Sequence, residues 1–421
     1  MSTEAILSSA LEGITVLEVG DSRAEFAGLL LRSLGADVIL VEDRHGSHSR
    51  HVGPFTTPEP HPEHSLCFSR YNLGKKSVAL DIGNPAAREA FARLARKADV
   101  ILDSGEALDV VSRAELYREW RKANPRLIVC TVTPFGLDGP YRDFLMTDLT
   151  HLALGGVMMS CGYDSQPDGT YDTPPIAPAM WQAYHIACEH AVVALTAALN
   201  FREMTGEGDF IDLSIHEAVS TCTEVAMPTW IYSKALIYRQ TGRHAAESRS
   251  RPWLRRTKDG RYIKAFMFWG GKERRVVAEI MSEAGIEHDL NSDAYKELAE
   301  KSPSKAGAHF SAMIDRLCEN MTAEEIFHKA QAKGLLWASV RYPEENIEDP
   351  HFKARGTFQA IEHPELGRSL QYPVSVGTDG HTRVTAFDRG APRLGEHTKE
   401  VLGAAGLSSA EIEALAVAKA I

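Results

Sequence analysis

The sequence predicts an α/β protein: a large domain on an open, mostly parallel sheet, followed by a smaller α+β domain. Apolar β-branched runs alternate with segments of helical periodicity as far as Gly136. The chain then changes character at Arg239–Ala265, which is polar, basic and broken by Gly and Pro. Its 421 residues are more than one hydrophobic core usually organises, so two or three domains are expected.

The N-terminal segment predicts a first βαβ unit. A β-branched apolar run, GITVLEVG, predicts a strand at Gly13–Gly20. The following DSRAEFAGLLLRSLGA has helical periodicity, and DVILVED predicts a second buried strand at Asp37–Asp43. A strand, a helix and a strand in this order form a βαβ unit, whose crossover is expected to be right-handed.

The same alternation continues along the chain. A helix is predicted at Asn84–Ala98, with Asn84 as its cap and Pro85 as its first residue. A strand at Asp99–Ser104, a helix in SRAELYREWRKANP and a strand at Arg126–Gly136 follow. Repeated strand–helix alternation is typical of an open, mostly parallel sheet.

The later part of the chain predicts the second domain. A long helix rich in small residues is predicted at Met180–Gly208, followed by a strand and a helix. Within Arg239–Ala265, the KDG triplet indicates a β-hairpin. Further helices are predicted at Lys272–Ala284, Ser304–Glu319 and Ala323–Lys333, and the chain ends in a helical tail. We expect a large domain from 1–225, a small domain from 226–335, and a return to the large domain over 336–421.

Composition limits the classes of partner. The chain has 46 Lys and Arg against 57 Asp and Glu, a formal net charge of −11 and a pI near 5.9. Such a balance argues against a nucleic-acid-binding protein. No apolar run approaches the roughly 20 residues that span a bilayer, and the N-terminus lacks a signal-peptide pattern, so we expect no membrane association and a cytoplasmic location. The six cysteines and the histidines show no metal-ligand spacing, and no metal is expected.

Asp148 is the main candidate for chemistry. It lies in MTDLTHLALGG, directly after the Thr133–Asp143 loop that leaves the carboxyl end of a predicted strand, where open α/β sheets bind ligands. One interpretation is that Asp148 caps the helix it begins. The other is a nucleophilic carboxylate that attacks an activated acyl carbon, with Gly155 and Gly156 leaving room for the substrate. The residues alone leave both interpretations open.

A local cationic surface is the second candidate site. Five basic residues fall near predicted strand or helix ends of the same sheet, and together they would bind a phosphorylated cofactor despite the acidic whole. They are Arg44, Arg50, Lys75, Lys76 and Arg113. For the adjacent lysines a solvated basic turn is the competing interpretation.

Several motifs in a fixed order resemble the class III CoA-transferases, the family of formyl-CoA and carnitine CoA-transferases (CaiB/BaiF). They are LEGITVLEVG, LLRSLGADVILVED, YNLGKKSVALDI, ARKADVILDS, NPRLIVCTVTPFGLDGPY, TDLTHLALGG and TGEGDFIDLSIHEAV, with DPHFKARGTF, HPELG and PRLGEHTKEVLGAAGL near the end. The resemblance covers nearly the whole chain.

This resemblance implies a fold and a reaction. The fold would be a Rossmann-like large domain, made from the N- and C-terminal parts, and a smaller domain between them, in an interlocked homodimer. Coenzyme A would enter as an acyl-CoA co-substrate, with a small carboxylic acid as its acceptor and no metal. Asp148 would attack the donor thioester to form a mixed anhydride, and then carry CoA as an aspartyl thioester. The backbone of Gly155 and Gly156 is our candidate donor to the tetrahedral intermediates.

Some residues depart from the family pattern and leave the reaction open. The family's DxxxQAxSG reads DLTHLALGG here, without the Gln, and the region matching its glycine-rich loop, Gly242–Pro252, has one Gly. Acyl-CoA racemases of this fold have a His directly before the Asp and a second Asp in GDFGGG; here Thr147 and the acid-free Pro178–Tyr184 stand instead. A CoA-ester lyase, isomerase or hydrolase of this fold and a non-catalytic acyl-CoA-binding paralogue stay compatible with the sequence.

Overall fold

The structure, a computed structural model, describes residues 9–105, 107–223, 225–250, 252–266, 271–363, 366–373, 387 and 389–421. Its strands, numbered in chain order, are β1 (Thr15–Val19), β2 (Asp37–Glu42), β3 (Lys76–Ala79), β4 (Val100–Asp103), β5 (Ile128–Thr133), β6 (Phe210–Ser214), β7 (Leu254–Arg256), β8 (Tyr262–Ala265), β9 (Trp337–Ser339), β10 (Phe358–His363) and β11 (Arg368–Pro373).

The α-helices are α1 (Glu25–Ser33), α2 (Leu66–Tyr71), α3 (Pro85–Ala95), α4 (Ala107–Ala123), α5 (Asp148–Leu154), α6 (Gln182–Thr205), α7 (Ile215–Thr221), α8 (Ala226–Ser233), α9 (Gly271–Glu283), α10 (Asp293–Lys301), α11 (Pro303–Asn320), α12 (Ala323–Ala332), α13 (Pro350–Ala354), α14 (Thr398–Ala404) and α15 (Ser409–Val417). Short 3₁₀ helices lie at His48–His51, Pro62–His64, Met158–Ser160 and Pro343–Ile347.

The main sheet has six parallel strands in the order β3-β2-β1-β4-β5-β6. In register, Val16 of β1 lies between Val38 of β2 and Val100 of β4. A parallel sheet is buried on both faces, and the strands accordingly read as apolar runs such as the fully buried β4 and β5. The strand order reverses between β1 and β4, which is the position where open sheets of this kind form a ligand-binding crevice.

Helix α3, which packs near this sheet, begins as the sequence predicts. The Asn84 side chain accepts the N–H of Ala86 at 3.0 Å, and Pro85 is the first residue of α3, which confirms the predicted cap. Buried apolar residues of β1, β2 and α3 form one core with Val401, Leu402 and Ile412 from the C-terminal helices. The C-terminal segment therefore completes the hydrophobic core of the N-terminal sheet.

The described chain divides into two compact units. The first contains residues 9–157, 178–223 and 347–421, and the second contains 158–177 and 225–346. The second unit holds the antiparallel sheet β7-β8-β9, whose first two strands are the hairpin predicted at the KDG triplet. Its own core surrounds Ile263 and Trp337.

The predicted α/β class, with a parallel sheet and a smaller unit containing antiparallel strands, is confirmed. The domain boundaries predicted at 226 and 336 stay a prediction; the compact units additionally assign 158–177 to the second body. Within the described ranges, no helix combines the length and the apolar character needed to cross a membrane.

Candidate active site

Asp148 begins α5 but does not cap it. The N-cap is Thr147, whose hydroxyl accepts the N–H of Thr150 while the Thr150 hydroxyl accepts the N–H of Thr147 at 2.7 Å. This reciprocal pair satisfies the free amides at the start of the helix. The capping interpretation of Asp148 is therefore wrong, because its neighbour supplies that function.

The carboxylate of Asp148 instead meets the N-terminus of α6. Its Oδ1 accepts the N–H of Tyr184 at 3.1 Å, and the N–H of Ala183 also acts on the carboxylate. Ala183 and Tyr184 are the second and third residues of α6, which has 24 residues. The amides in the first turn of a helix have no partner within the helix. The positive end of that helix dipole favours the ionised form of a carboxyl group placed there.

Burial and hydrogen bonding act on Asp148 in opposite directions. Asp148 is 8% exposed, and this burial raises the pKa of its carboxyl group above the ordinary value, while the amides of Tyr184 and Ala183 lower it. The rise prevails. A carboxylate with a raised pKa is more basic and therefore a stronger nucleophile than an exposed aspartate, and the α6 amides hold it in one orientation.

Asp148 opens into a cavity of about 630 Å³ within the first unit. Four chain segments line it: the turn after β1, the 3₁₀ helix that begins at His48, the start of α5, and the approach to α6. Its lining residues are Asp21, Ser22, Arg23, His48, Met146, Thr147, Asp148, Leu149, Leu152, Pro178, Met180, Trp181 and Tyr184. Leu149 and Leu152 contribute apolar side chains to the wall that α5 forms.

The backbone at the approach to α6 is strained. Met180 has a φ of 63°, a conformation that residues with a side chain rarely adopt. It precedes Trp181, whose ring stacks on Tyr71 with 5.6 Å between the centroids. Strain of this kind is often found at functional sites, where the surrounding packing maintains it.

A second cavity, of about 350 Å³, lies at the reversal of strand order. Gly20 after β1 and Gly105 after β4 both line it. Gly20 has a φ of 117°, and a Cβ there would lie 2.6 Å from the backbone nitrogen of Gly105. Only glycine allows the two loops to approach this closely. Asp21 and His48 line both cavities, so the two adjoin.

Among the predicted cations, Arg113 lines the second cavity. The carboxylate of Asp103, at the carboxyl end of β4, holds its guanidinium in a two-bond fork of 2.7 and 2.8 Å. The hydroxyl of Tyr117 donates to the same carboxylate at 2.6 Å. Arg44 is exposed on the loop after β2, with its Nε 3.2 Å from His45.

Like Arg44, the remaining predicted cations Arg50, Lys75 and Lys76 do not line that cavity. Arg50 is fully buried and paired with Glu42, with its Nε 2.7 Å from Oε2. Lys75 is fully buried and paired with Glu18 at 2.8 Å. Lys76 begins β3 and so lies at the amino ends of the parallel strands, opposite to the carboxyl ends. Its Nζ is 3.1 Å from Oδ2 of Asp37. Their binding of a phosphorylated cofactor stays a prediction, which these contacts do not support.

Gly155 and Gly156 end α5. The N–H of Gly155 donates to the carbonyl of His151 at 2.8 Å, and that of Gly156 to Ala153 at 3.4 Å. Neither glycine lines the cavity of Asp148. Their predicted donation to a tetrahedral intermediate stays a prediction without geometric support, because both amides already have acceptors.

Three cavity residues, Arg23, His48 and Tyr184, are not predicted by the sequence. Arg23 follows β1 in a turn without the glycines of a phosphate loop, and Tyr184 lies 36 residues from Asp148. His48 belongs to a histidine-rich loop that reads as solvated surface. Across the described residues, no group of three or more His, Cys, Asp or Glu side chains is arranged to hold a metal ion.

Comparison with known proteins extends these observations. The family model described as CoA-transferase family III matches residues 11–398. A subunit of succinyl-CoA:(R)-benzylsuccinate CoA-transferase from Thauera aromatica is 28% identical over 95% of both chains. The beta subunit of succinyl-CoA–L-malate CoA-transferase from Chloroflexus aurantiacus is 27% identical over 93% of both.

A solved structure shares the fold. A CAIB/BAIF family protein from Brucella suis superposes with a TM-score of 0.75 and 23% identity, covering 94% of this chain and all of that one. Because the family model matches most of this chain, the chain belongs to CoA-transferase family III and is a class III CoA-transferase.

Proposed function

We propose that this protein moves CoA from an acyl-CoA donor to a carboxylic acid acceptor through covalent intermediates on Asp148. The observation that carries the proposal is the placement of this carboxylate, fixed by the Tyr184 amide and open to a large cavity. A free carboxylic acid and a thioester do not exchange directly at a useful rate, whereas a carboxylate nucleophile divides the exchange into acyl transfers.

The proposed reaction begins with attack by the Asp148 carboxylate on the thioester carbonyl. The carbon–sulfur bond breaks, CoA leaves as its thiolate, and a mixed anhydride remains. The thiolate then attacks the aspartyl carbonyl, which releases the donor acid and leaves Asp148 as a CoA thioester. The acceptor carboxylate repeats the two transfers in reverse order, so that Asp148 is regenerated and the acceptor leaves as its CoA thioester.

The start of α6 supports these steps. When a nucleophile attacks the aspartyl carbonyl, negative charge develops on the oxygen that already faces the amides of Tyr184 and Ala183. Fixed amides at a helix N-terminus stabilise such charge without reorganisation. We therefore assign these amides, rather than those of Gly155 and Gly156, to the stabilisation of the intermediate.

The adjoining cavities suit an extended acyl-CoA. The switch-point cavity between β1 and β4 is where open α/β sheets bind nucleotides, and Arg113 supplies a cation there. From that cavity the chain of CoA would pass Asp21 and His48, which line both cavities, and place its thioester at Asp148. The names of the relatives, which include succinyl-CoA donors with benzylsuccinate and malate, favour dicarboxylic acids as substrates.

An interlocked homodimer is part of the proposal. Support comes from apolar side chains that α6 leaves exposed, namely Val193, Phe201 and Met204. Exposed apolar side chains along one helix are typical of an interaction surface. Measurement of the molar mass in solution tests this part, and a monomeric mass would contradict it. The cytoplasmic location stays a prediction from the sequence.

Replacement of Asp148 tests the proposed chemistry. Asp148→Ala should abolish CoA transfer while the protein still binds CoA, because the nucleophile is lost and the switch-point cavity is intact. Asp143→Ala is the matched control, since Asp143 lies in the same segment, is exposed and pairs with Arg142 outside the cavity. Transfer by Asp148→Ala at the rate of Asp143→Ala would contradict the covalent mechanism.

A further inference from the structure

Arg23 lies in the wall of the Asp148 cavity, in the turn between β1 and α1. It is 7% exposed. Its Nη1 lies 3.1 Å from Oδ2 of Asp21 and donates to the carbonyl of Ser104 at 3.3 Å. These contacts fix the guanidinium at the cavity wall instead of leaving it to move in solvent.

Tyr184 connects Arg23 with the nucleophile. Its backbone N–H holds the Asp148 carboxylate, and its hydroxyl lies within hydrogen-bonding reach of the Arg23 guanidinium. The guanidinium and the carboxylate are therefore separated along the cavity wall by the length of one tyrosine side chain. The cavity thus presents a nucleophile at one place and a cation at another.

Arg23 differs in charge from the other residues around it. Among the described residues that line this cavity, it alone carries a permanent positive charge. A guanidinium has five donors in a planar fork that matches a carboxylate, and it can bind one carboxylate while keeping contact with another. A monocarboxylic acyl group has nothing to offer this cation once its carbonyl lies at Asp148. A dicarboxylic acyl group retains a second, unreacted carboxylate.

We propose that Arg23 binds the substrate carboxylate that does not react, and so makes the enzyme selective for dicarboxylic acids and their mono-CoA thioesters. The inference rests on the proposed function, because Asp148 must mark the place of the reacting carbonyl. In this role Arg23 is a specificity-determining residue for both the donor and the acceptor. No bond to Arg23 forms or breaks during the reaction.

The test compares two thioesters that differ only at the end of the acyl chain. Succinyl-CoA has a distal carboxylate, and butyryl-CoA has a methyl group in its place. The exchange of isotope-labelled CoA into each thioester reports acylation of Asp148 without an acceptor acid, and an enzyme-free sample corrects for spontaneous thiol–thioester exchange. The wild-type enzyme should favour succinyl-CoA in kcat/KM. Arg23→Met should lower the succinyl-to-butyryl ratio by about 100-fold, as expected for loss of a charged hydrogen-bonding partner.

Two further variants keep the test decisive. Arg23→Lys preserves the charge and should retain part of the preference. If Arg23→Met alone fails to fold because Asp21 loses its partner, Asp21→Asn is combined with Arg23→Met. This double variant should show the same loss of preference for succinyl-CoA. Arg121→Met is the control, since Arg121 donates to the carbonyls of Leu127 and Gly208 outside the cavity; its ratio should equal the wild-type ratio.

The contradicting outcomes are distinct. Equal losses with both thioesters in Arg23→Met would assign Arg23 to CoA binding or to structure, and would overturn the inference. A wild-type enzyme that exchanges both thioesters equally well would also overturn it, while leaving the chemistry of Asp148 intact. If the wild-type enzyme exchanged no label with either thioester, the proposed function itself would fail, and the inference with it.

Discussion

The backbone N–H of Tyr184 donates a hydrogen bond of 3.1 Å to Oδ1 of Asp148, and the two residues are 36 positions apart in the chain. The Asp148 carboxylate therefore lies at the first turn of α6, whereas Thr147 caps α5, the helix that Asp148 begins. In the proposed reaction, the amide that orients the carboxylate would also face the oxygen on which negative charge develops. Preorganised donors of this kind are a major source of catalytic rate enhancement.

The first prediction concerns the pH dependence of catalysis. Only the ionised carboxylate of Asp148 can attack a thioester, so kcat/KM should fall as pH falls through the pKa of this group. Burial raises that pKa above the ordinary 3.8, so the midpoint of the acid limb should lie above 3.8. Initial rates over an acid pH series, with circular dichroism at each pH to exclude unfolding, provide the measurement. A midpoint at or below 3.8 would contradict the effect of burial.

The second prediction separates two adjacent lysines. Lys75 donates to Glu18 and to the carbonyl of Glu25, both at 2.9 Å, in a fully buried pair. Burial raises the pKa of Glu18, and the Lys75 ammonium opposes that rise. Lys75→Met should lower the free energy of unfolding by about 3–5 kcal/mol, because it leaves a buried carboxyl group without its partner. Denaturant-induced unfolding measures the change.

Lys76→Met is the matched control for this pair. Lys76 is partly exposed and lies 3.1 Å from Asp37 and 3.5 Å from Glu400, so its loss should change the free energy of unfolding by less than about 1 kcal/mol. CoA affinity should stay unchanged in Lys76→Met. Should Lys75→Met prove as stable as the wild type but bind CoA weakly, Lys75 would be a ligand-binding cation, as its position in the sequence first indicates.

The third prediction concerns a buried histidine, His151. It is 0% exposed, and neither ring nitrogen has a hydrogen-bond partner among the residues that the structure describes. Burial, with the charges of His216 and Arg23, lowers its pKa to about 4. In the unfolded chain a histidine has a pKa near 6.5. Above pH 6.5 the histidine is neutral in both states and has no effect on stability; as pH falls from 6.5 to about 4 only the unfolded chain binds the proton, so stability falls, and the loss is complete near pH 4. The loss amounts to about 3 kcal/mol.

His151→Leu removes this titration while keeping a similar volume. Because the ring makes no hydrogen bonds, the apolar replacement should be nearly neutral at pH 7. The variant should lose less stability than the wild type between pH 6.5 and 4, as measured by the free energy of unfolding at each pH. Identical pH profiles for the two proteins would show that His151 does not resist protonation in the folded state.

The fourth prediction uses two glycines with positive φ. Gly20→Ala should destabilise the protein by about 1–3 kcal/mol and weaken CoA binding at least tenfold, since a Cβ there meets the backbone of Gly105 at 2.6 Å. Gly206, at the end of α6, has a φ of 82°, and in the described part of the chain no atom lies within 4 Å of a Cβ placed there by Gly206→Ala. It should cost about 1–2 kcal/mol without affecting CoA affinity. Calorimetric titration with CoA measures both variants, and equal CoA affinities would contradict a ligand site at Gly20.

The local signals of the sequence are sufficient for most of the large unit. The β-branched runs of β1, β2, β4 and β5 are short, apolar and separated by helical periodicity, and each folds as the pattern indicates. The Asn84–Pro85 start of α3 and the KDG hairpin are equally local, since their partners lie within a few residues. Helix α10 (Asp293–Lys301) is not among the predicted helices.

The site is predictable only in part, because its contacts are distant in sequence. Asp148 is recognisable from its position after a strand and from the ordered motifs around it, but its partner Tyr184 belongs to another helix. Lys75 and Lys76 look alike in sequence, yet Lys75, directly before β3, pairs with the buried Glu18, and Lys76, the first residue of β3, pairs with Asp37. Arg23 follows no motif, and only the folded chain places it in the same cavity as Asp148.

The most direct test of the central claim is chemical trapping of the covalent intermediate. The wild-type protein is incubated with succinyl-CoA, treated with hydroxylamine or borohydride, digested and examined by mass spectrometry. An activated aspartyl carbonyl becomes a hydroxamate with hydroxylamine and an alcohol with borohydride. The account predicts modification at Asp148, and none in protein treated without succinyl-CoA. Modification at another carboxylate, or an unmodified Asp148 in protein that is turning over, would contradict it.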